Sequence, residues 1–264
     1  MRTNELAKLT WKEAEEALKD KPVVLVPLGA VEPHGMQLPM GADYMVAEYL
    51  AIEAAKNTGA LATPAIPFGY CDTVENVPGA ISLSPATLAA VLEDIIRNLV
   101  KHGVERIVFV NNHRSNAVSL NFLCRKLRDE LPVEFATFFP WGVIQAFCPP
   151  MYEDFAAVFG HGGEPETSVT QYLFPEHVRM DLAVKDQYGD VWGVKSRGPS
   201  MLDFQGIPIE IYMRSEDLTS SGTKGDPFAG GPELGKEMTE KALDHLVDFV
   251  EFFKGVPLKK ISEQ

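Results

Sequence analysis

The stretch "VVLVPLGAVEPHGMQLPMGAD", residues 23–43, decides how the chain is read. It opens on an apolar, β-branched run that ends at Gly29, the pattern of a strand buried on both faces. Glu32, Pro33 and His34 follow directly, and Asp43 comes nine residues after His34. In an extended segment residues two apart point the same way, so Glu32 and His34 project together, with Pro33 stiffening the backbone between them. From Ala42 to about Lys56 the apolar residues recur at helical spacing. That puts Asp43 in a first turn, where backbone dipoles favour an ionised carboxylate. "TGALATPAIPFG" then reads as another strand, broken by prolines. Three ligand-type side chains past a strand's carboxyl end suit metal chelation; a solvated loop with an ordinary hydrogen-bonded histidine is the alternative for the same residues.

Outward from this unit the alternation continues. A first helix is expected over roughly Trp11 to Leu18. "SLSPATLAAVLEDIIRNLVKHG" has Ser84 as N-cap, Pro85 at the first helical position and Gly103 as terminator. "ERIVFVNN" reads as strand, "RSNAVSLNFLCRKLRDE" as helix and "PVEFATFFP" as strand again. Alternating elements imply an α/β fold with a mainly parallel sheet covered by helices. Beyond Pro175 the chain turns rich in Gly, Pro and Ser, with short strand-like pieces such as "IPIEIYM". About residues 186–231 are therefore expected to be a loop-rich cover over a site. A last amphipathic helix, about Gly235 to Phe253, closes what is expected to be one domain over residues 1–264.

Composition narrows the classes. With 24 Lys plus Arg against 37 Asp plus Glu, the net charge of -13 opposes a nucleic-acid partner. No apolar run approaches the roughly 18 residues a membrane span needs, so no membrane partner is expected. The amphipathic, acid-containing amino terminus matches neither a secretion signal nor a transit peptide. Three scattered cysteines, Cys71, Cys124 and Cys148, form no CxxC pair. Together these point to the cytoplasm.

Two further segments offer chemistry. In "VFVNNHRSN", His113 sits just past a strongly apolar strand, among Asn111, Asn112 and Asn116; parallel strands would deliver it to the sheet edge that carries Glu32 and His34, where open α/β sheets bind ligands. In "FGHGGEPETSVTQYLFP", His161, Glu164 and Glu166 precede a helix, with glycines that let backbone approach a ligand. Glu164 reads as a first-turn carboxylate favoured by the helix dipole. No GxSxG, GxxxxGK[ST], HExxH or GxGxxG pattern is present. Histidines and carboxylates without thiolate pairs suit Zn, Mn or Fe.

"VPLGAVEPHGMQLPMGAD", "PGAISLSPATL", "VFVNNHRSN" and "HGGEPETS" occur in the order of, and resemble, the signature segments of the creatininase family of metal-dependent amidohydrolases. The resemblance covers most of residues 20–175. It implies a three-layer α/β/α sandwich and a homo-oligomer, commonly a hexamer. It implies two divalent ions per chain, held by Glu32, His34, Asp43 and His113, with Asp43 the bridge and Glu166 a further ligand. His161 falls where the family keeps a proton donor beside the substrate, so His161 and Glu166 are the expected catalytic residues.

The departures bear on the substrate. Ser115 stands where creatininase itself has a metal-binding Glu, and Ala157 and Val158 replace its Trp and Asp, so creatinine is not the expected substrate. Arg114 beside dications would be repelled unless it turns toward an anionic substrate, whose carboxylate or phosphate it would bind. Arg114, Ser115 and Cys71, the last where relatives often have Ser, are the expected substrate contacts. The implied activity is hydrolysis of a carbon–nitrogen bond in a small cyclic or linear amide by a metal-bound hydroxide. Hydrolysis of a lactone or polyol-derived ketone, a sugar isomerase and a non-catalytic metal-binding protein remain the alternatives.

Overall fold

The structure, a computed structural model, describes residues 2–259. Helix α1, Trp11–Lys19, starts where Thr10 and Glu13 cap each other reciprocally. Strand β1, Val24–Leu28, leads through the opening motif to α2, Ala42–Thr58, which stops at Gly59 in the left-handed region. Strand β2 is only Leu61–Ala62, since the prolines that follow cut the expected strand short; a single bridge from Leu28 to Ile66 continues the pairing. Helix α3, Pro85–Lys101, has Ser84 accepting the Thr87 amide as read from the sequence. Strand β3, Arg106–Asn111, α4, Ala117–Glu130, and β4, Glu134–Phe138, complete the regular half. Helix α4 begins three residues later than expected, because Arg114–Asn116 form a 3₁₀ turn.

All four strands are parallel, in the order β2-β1-β3-β4, with Leu28 paired to Asn111 at the carboxyl end. Every residue of β1 is buried, and the pleat sends its side chains alternately to two cores. Leu25 joins a core built with Val46, Leu50, Val169, Met238 and Leu246 from α2 and the later helices. Val24, Val26 and Leu28 join a core built with Leu88, Leu92, Ile96, Leu123 and Leu127 from α3 and α4. The result is a three-layer α/β/α sandwich around a parallel sheet. Each fully buried Leu or Phe here contributes roughly 1.5–3 kcal/mol relative to exposure.

Three short helices follow β4: α5, Pro140–Phe147, and α6, Phe155–Val158, which the sequence pattern did not separate, and α7, Glu166–Leu173, the helix expected after His161, which takes Glu166 into its first turn. The region expected to be loops carries a small antiparallel sheet of β5, Ser196–Gly198, β6, Met201–Phe204, and β7, Ile207–Glu210. Its hairpin turns at Gln205 and Gly206, both with positive φ (54° and 81°), the backbone of a two-residue turn that follows the twist of its strands. Helix α8, Pro232–Lys254, packs back over α2 and α7.

Candidate metal centre

The carboxyl ends of β1 and β3 lie side by side, and both deliver polar side chains to one cavity of about 260 Å³. Gly29 makes the first placement possible. A Cβ there would lie 2.2 Å from the Tyr44 amide nitrogen, so only glycine lets the first turn of α2 press against the end of β1 and return Asp43 to the strand edge. Gly162, with φ +68, is a second such contact: its Cβ would fall 2.7 Å from the His34 carbonyl carbon, so the loop before α7 lies directly on His34. His161, on that loop, stacks on the His34 ring with centroids 4.5 Å apart.

The end of β3 is fastened by amides. Asn116 Nδ2 donates to Gly29 O at 3.0 Å and to Asn111 Oδ1 at 3.1 Å, while Asn116 Oδ1 accepts the Tyr70 amide at 2.9 Å. Asn111 and Asn116 thus tie two strand ends and the Tyr70 loop together. The Tyr70 carbonyl in turn accepts His113 Nε2–H at 2.7 Å.

Glu32, His34, Asp43 and His113 are all buried and meet. His34 Nε2 is 3.3 Å from Asp43 Oδ1 and 3.8 Å from Glu32 Oε1; His113 Nδ1 is 3.1 Å from Asp43 Oδ2 and 3.2 Å from Glu32 Oε1. A carbonyl can only accept, so the bond to Tyr70 leaves a lone pair on His113 Nδ1, and the contact of His34 Nδ1 with Glu32 O at 3.2 Å leaves one on Nε2. Imidazole lone pairs therefore face carboxylate oxygens across about one ligand's reach. Asp43 Oδ2 is buried with no hydrogen-bond partner. Such a set is stable only with an electrophile between its members, a proton or a cation, and rings locked by backbone carbonyls are how proteins orient metal-binding histidines.

Electrostatics agree. Burial works against the charged form of His34, but Asp43, Glu166 and Glu32 outweigh it and push its pKa up to about 10. His113 is likewise raised: burial opposes its charge and Glu32 and Asp43 overcome it. Burial alone would raise Asp43 and Glu32; the histidines beside them hold both carboxyls below the usual range instead. Two three-residue sets have ligand atoms within 4.8 Å of one another: Glu32 with Asp43 and His113, and Glu32 with His34 and His161. The donors fit divalent cations of the Zn or Mn type.

Glu166 stands in the first turn of α7 on the cavity wall, where Oε2 accepts the Gly162 amide at 2.7 Å and burial raises its pKa. His161 Nε2 bonds the Pro33 carbonyl at 2.7 Å. Arg114 and Ser115 line the cavity, with the Arg114 guanidinium 5.3 Å from the centroid of the Phe139 ring. Cys71 lies behind the wall: it is buried with Ala30 and Val74, its thiol donates toward Ile81 O at 3.6 Å, and burial and Glu32 push its pKa up to about 11. Glu164 corrects the sequence reading. It precedes α7 rather than standing in its first turn, is fully buried, and accepts the Tyr152 hydroxyl at 2.8 Å on one oxygen.

Several cavity residues had no motif to announce them. Trp141 of α5 donates its indole N–H to Asp43 Oδ1 at 3.2 Å, and Tyr188, Pro199, Ser200 and Ser215 come from the late segment. Proline after a strand, at Pro140, was the available signal for α5 and so for Trp141.

Fold and site together define a three-layer α/β/α protein with a carboxylate–histidine cluster at the ends of two central strands. A family model, creatininase, described as creatinine amidohydrolase, matches residues 7–250. The chain belongs to the creatininase family. It is 31% identical to the creatinine amidohydrolase of Pseudomonas putida over 197 residues, which span 68% of this chain and 75% of that protein. It is 24% identical to the 3-dehydro-scyllo-inosose hydrolase of Thermotoga maritima over 257 residues, 92% of this chain and 81% of that one. A solved structure of creatininase with Mn superposes with a TM-score of 0.76 at 25% identity, covering 96% of this chain and 99% of that one.

Proposed function

We propose that this protein is a metal-dependent amidohydrolase that hydrolyses a carbon–nitrogen bond of a small cyclic or linear amide. One observation carries the reading: the two oxygens of Asp43 face different histidines, His34 and His113, as a bridging carboxylate would. Glu32, Asp43 and His113 would hold one divalent cation, and His34, with Glu32, His161 or Glu166, a second. Zn and Mn are the metals that similar creatininase structures name. Bound there, such ions supply Lewis-acid polarisation of a carbonyl and lower the pKa of water toward about 7.

The chain's own groups do the rest. Trp141 and the Tyr70 carbonyl fix Asp43 and His113 in place. Glu166, raised by burial, is suited to take and return a proton. His161, whose Nε2–H is spent on the Pro33 carbonyl, has Nδ1 free to take up a proton and pass it to the departing nitrogen. Arg114, held over Phe139 at the cavity wall, would bind a substrate carboxylate or phosphate, and Ser115 would contact the same molecule. Cys71 serves packing behind the wall.

The likeness to an inosose hydrolase across 92% of the chain supports a second reading, hydrolysis of a polyol-derived ketone or lactone. A homo-oligomer, the family's hexamer, belongs to the proposal, supported by Val118 and Phe122 exposed on α4; a cytoplasmic place is supported by three free cysteines. Metal analysis of the pure protein beside Asp43→Asn, with a hydrolysis screen over cyclic amides, formamides and lactones, tests the reading. Two ions per chain, lost in the variant, and turnover of an amide are expected. One ion or none, without turnover, would leave a non-catalytic metal-binding protein; lactone turnover alone would favour the second reading.

A further inference from the structure

One wall of the cavity comes from the late segment, through Tyr188, Pro199, Ser200 and Ser215, and its two ends are held very differently. At the root, Gln187 Nε2 donates to Ala157 O at 3.0 Å, the Lys224 amide to His161 O at 2.7 Å and the Asp226 amide to Val158 O at 3.0 Å. There Asp186 also pairs with Gly225 and accepts the buried hydroxyls of Thr219 and Ser221 at 2.6 and 2.7 Å. At the far end, among the described residues, three hydrogen bonds join residues 190–217 to the body of the protein. Arg214 Nη1 donates to Asp72 O at 2.8 Å and Nη2 to Glu75 Oε1 at 2.9 Å, and Asn76 Nδ2 donates to Glu216 Oε1 at 2.6 Å. The side chains of Arg214 and Glu75 are 42% and 41% exposed, and ion pairs so exposed hold weakly. The loop that receives Arg214 is itself firm: Cys71 and Val74 are buried beside Ala30, and Tyr70 is tied to Asn116 and His113.

We propose that residues 190–217 are a lid that opens and closes over the metal centre, and that Arg214 is the positioning residue that latches it shut. The latch sits on the seam of the cavity. Ser215, next to Arg214, lines it from the lid, and Thr73 and Val74, next to Asp72, line it from the body. The donors Glu32, His34, Asp43 and His113 are at most 7% exposed in the latched form, so a cover that stayed shut would hinder both ion and substrate. Opening admits them, and closing sheds water from the centre before reaction. Arginine suits the task because its planar fork serves a carbonyl and a carboxylate at once, which a lysine ammonium does less well. A root of buried hydroxyls and backbone pairs, a core of four buried residues and a weak far attachment together make a hinge rather than a fixed wall. The inference rests on the metal-centre reading of the cavity.

The test compares metal-loaded wild type with Arg214→Ala and Arg214→Lys. In Arg214→Ala, amide exchange over residues 190–217 should quicken roughly threefold to thirtyfold, the worth of an exposed ion pair and one hydrogen bond. Exchange in β1 and β3 should not change. The rate at which dipicolinate strips the metal should rise by a similar factor, with metal content before the chelator and the main melting transition as in wild type. Arg214→Lys, which keeps the charge without the fork, should fall between the two. Unchanged exchange over 190–217, exchange that quickens equally in β1 and β3, stripping as slow as in wild type, or metal lost before the chelator is added would each overturn the latch. A wild type that holds no metal would sink the metal-dependent reading alone, because amide exchange tests the latch without an ion.

Discussion

The two halves of the cavity are built differently. On one side, donors stand at the ends of β1 and β3, strands buried on both faces between two large cores. On the other, the segment from Tyr188 to Ser215 closes over a core of only four buried residues, Val191, Leu202, Ile211 and Leu218, and every residue of β7 is exposed. Cation chemistry tolerates little positional error, whereas substrate recognition benefits from a wall that can vary and move. Under the proposed function, metal binding falls to the rigid half and much of the substrate wall to the thin one. It also states what would break it: a substitution in the thin half that empties the metal site, or one at the strand ends that leaves it full.

Glu32→Gln should have the largest effect. Glu32 belongs to both candidate ligand sets, lying 3.2 Å from His113 Nδ1 and 3.8 Å from His34 Nε2. Loss of its charge should lower metal content well below one ion per chain after dialysis and cut turnover by roughly a thousandfold or more. Full metal content in the variant would move the centre away from these strand ends.

Stability offers the next test. Leu25 is fully buried in the middle of the sheet, and Leu25→Ala should cost about 3 kcal/mol and lower the main calorimetric transition by roughly 10 °C. Leu202, 5% exposed in the small core, should behave otherwise. Leu202→Ala should leave that transition within about 2 °C while speeding amide exchange over residues 196–210, since a thinly packed unit opens locally. Equal losses at the two sites would mean that the halves unfold as one.

The sequence displayed these halves unequally, for physical reasons. Strands buried on both faces and helices with caps leave strong local signals, so β1, β3 and α3 were legible, along with the parallel sheet and the strand ends at which Glu32, His34, Asp43 and His113 meet. The strand expected to be broken by prolines is so: β2 ends at Ala62 and its pairing resumes in the single bridge at Ile66. The antiparallel sheet was under-read because its strands are three or four residues long and β7 has no buried face to impose alternation. Glu164 was misjudged because position next to a helix says nothing of what covers it; Tyr152, distant from the motif, decides that.

The smallest effect separates the halves most cleanly. Tyr188 comes from the thin half yet reaches the cavity, and its hydroxyl is pushed well above the usual tyrosine range by burial first and then by the carboxylates of Glu166 and Glu32. A phenol so raised stays protonated and can donate a hydrogen bond to substrate but not act as a base. Tyr188→Phe keeps the ring that packs near Val191 and Leu202 and removes that donor alone. One hydrogen bond is worth about 0.5–1.5 kcal/mol, so kcat/KM should fall roughly twofold to tenfold, with metal content and melting temperature unchanged. A fall in metal content would show Tyr188 acting on the centre itself, and the division of labour between strand ends and cover would have to be abandoned.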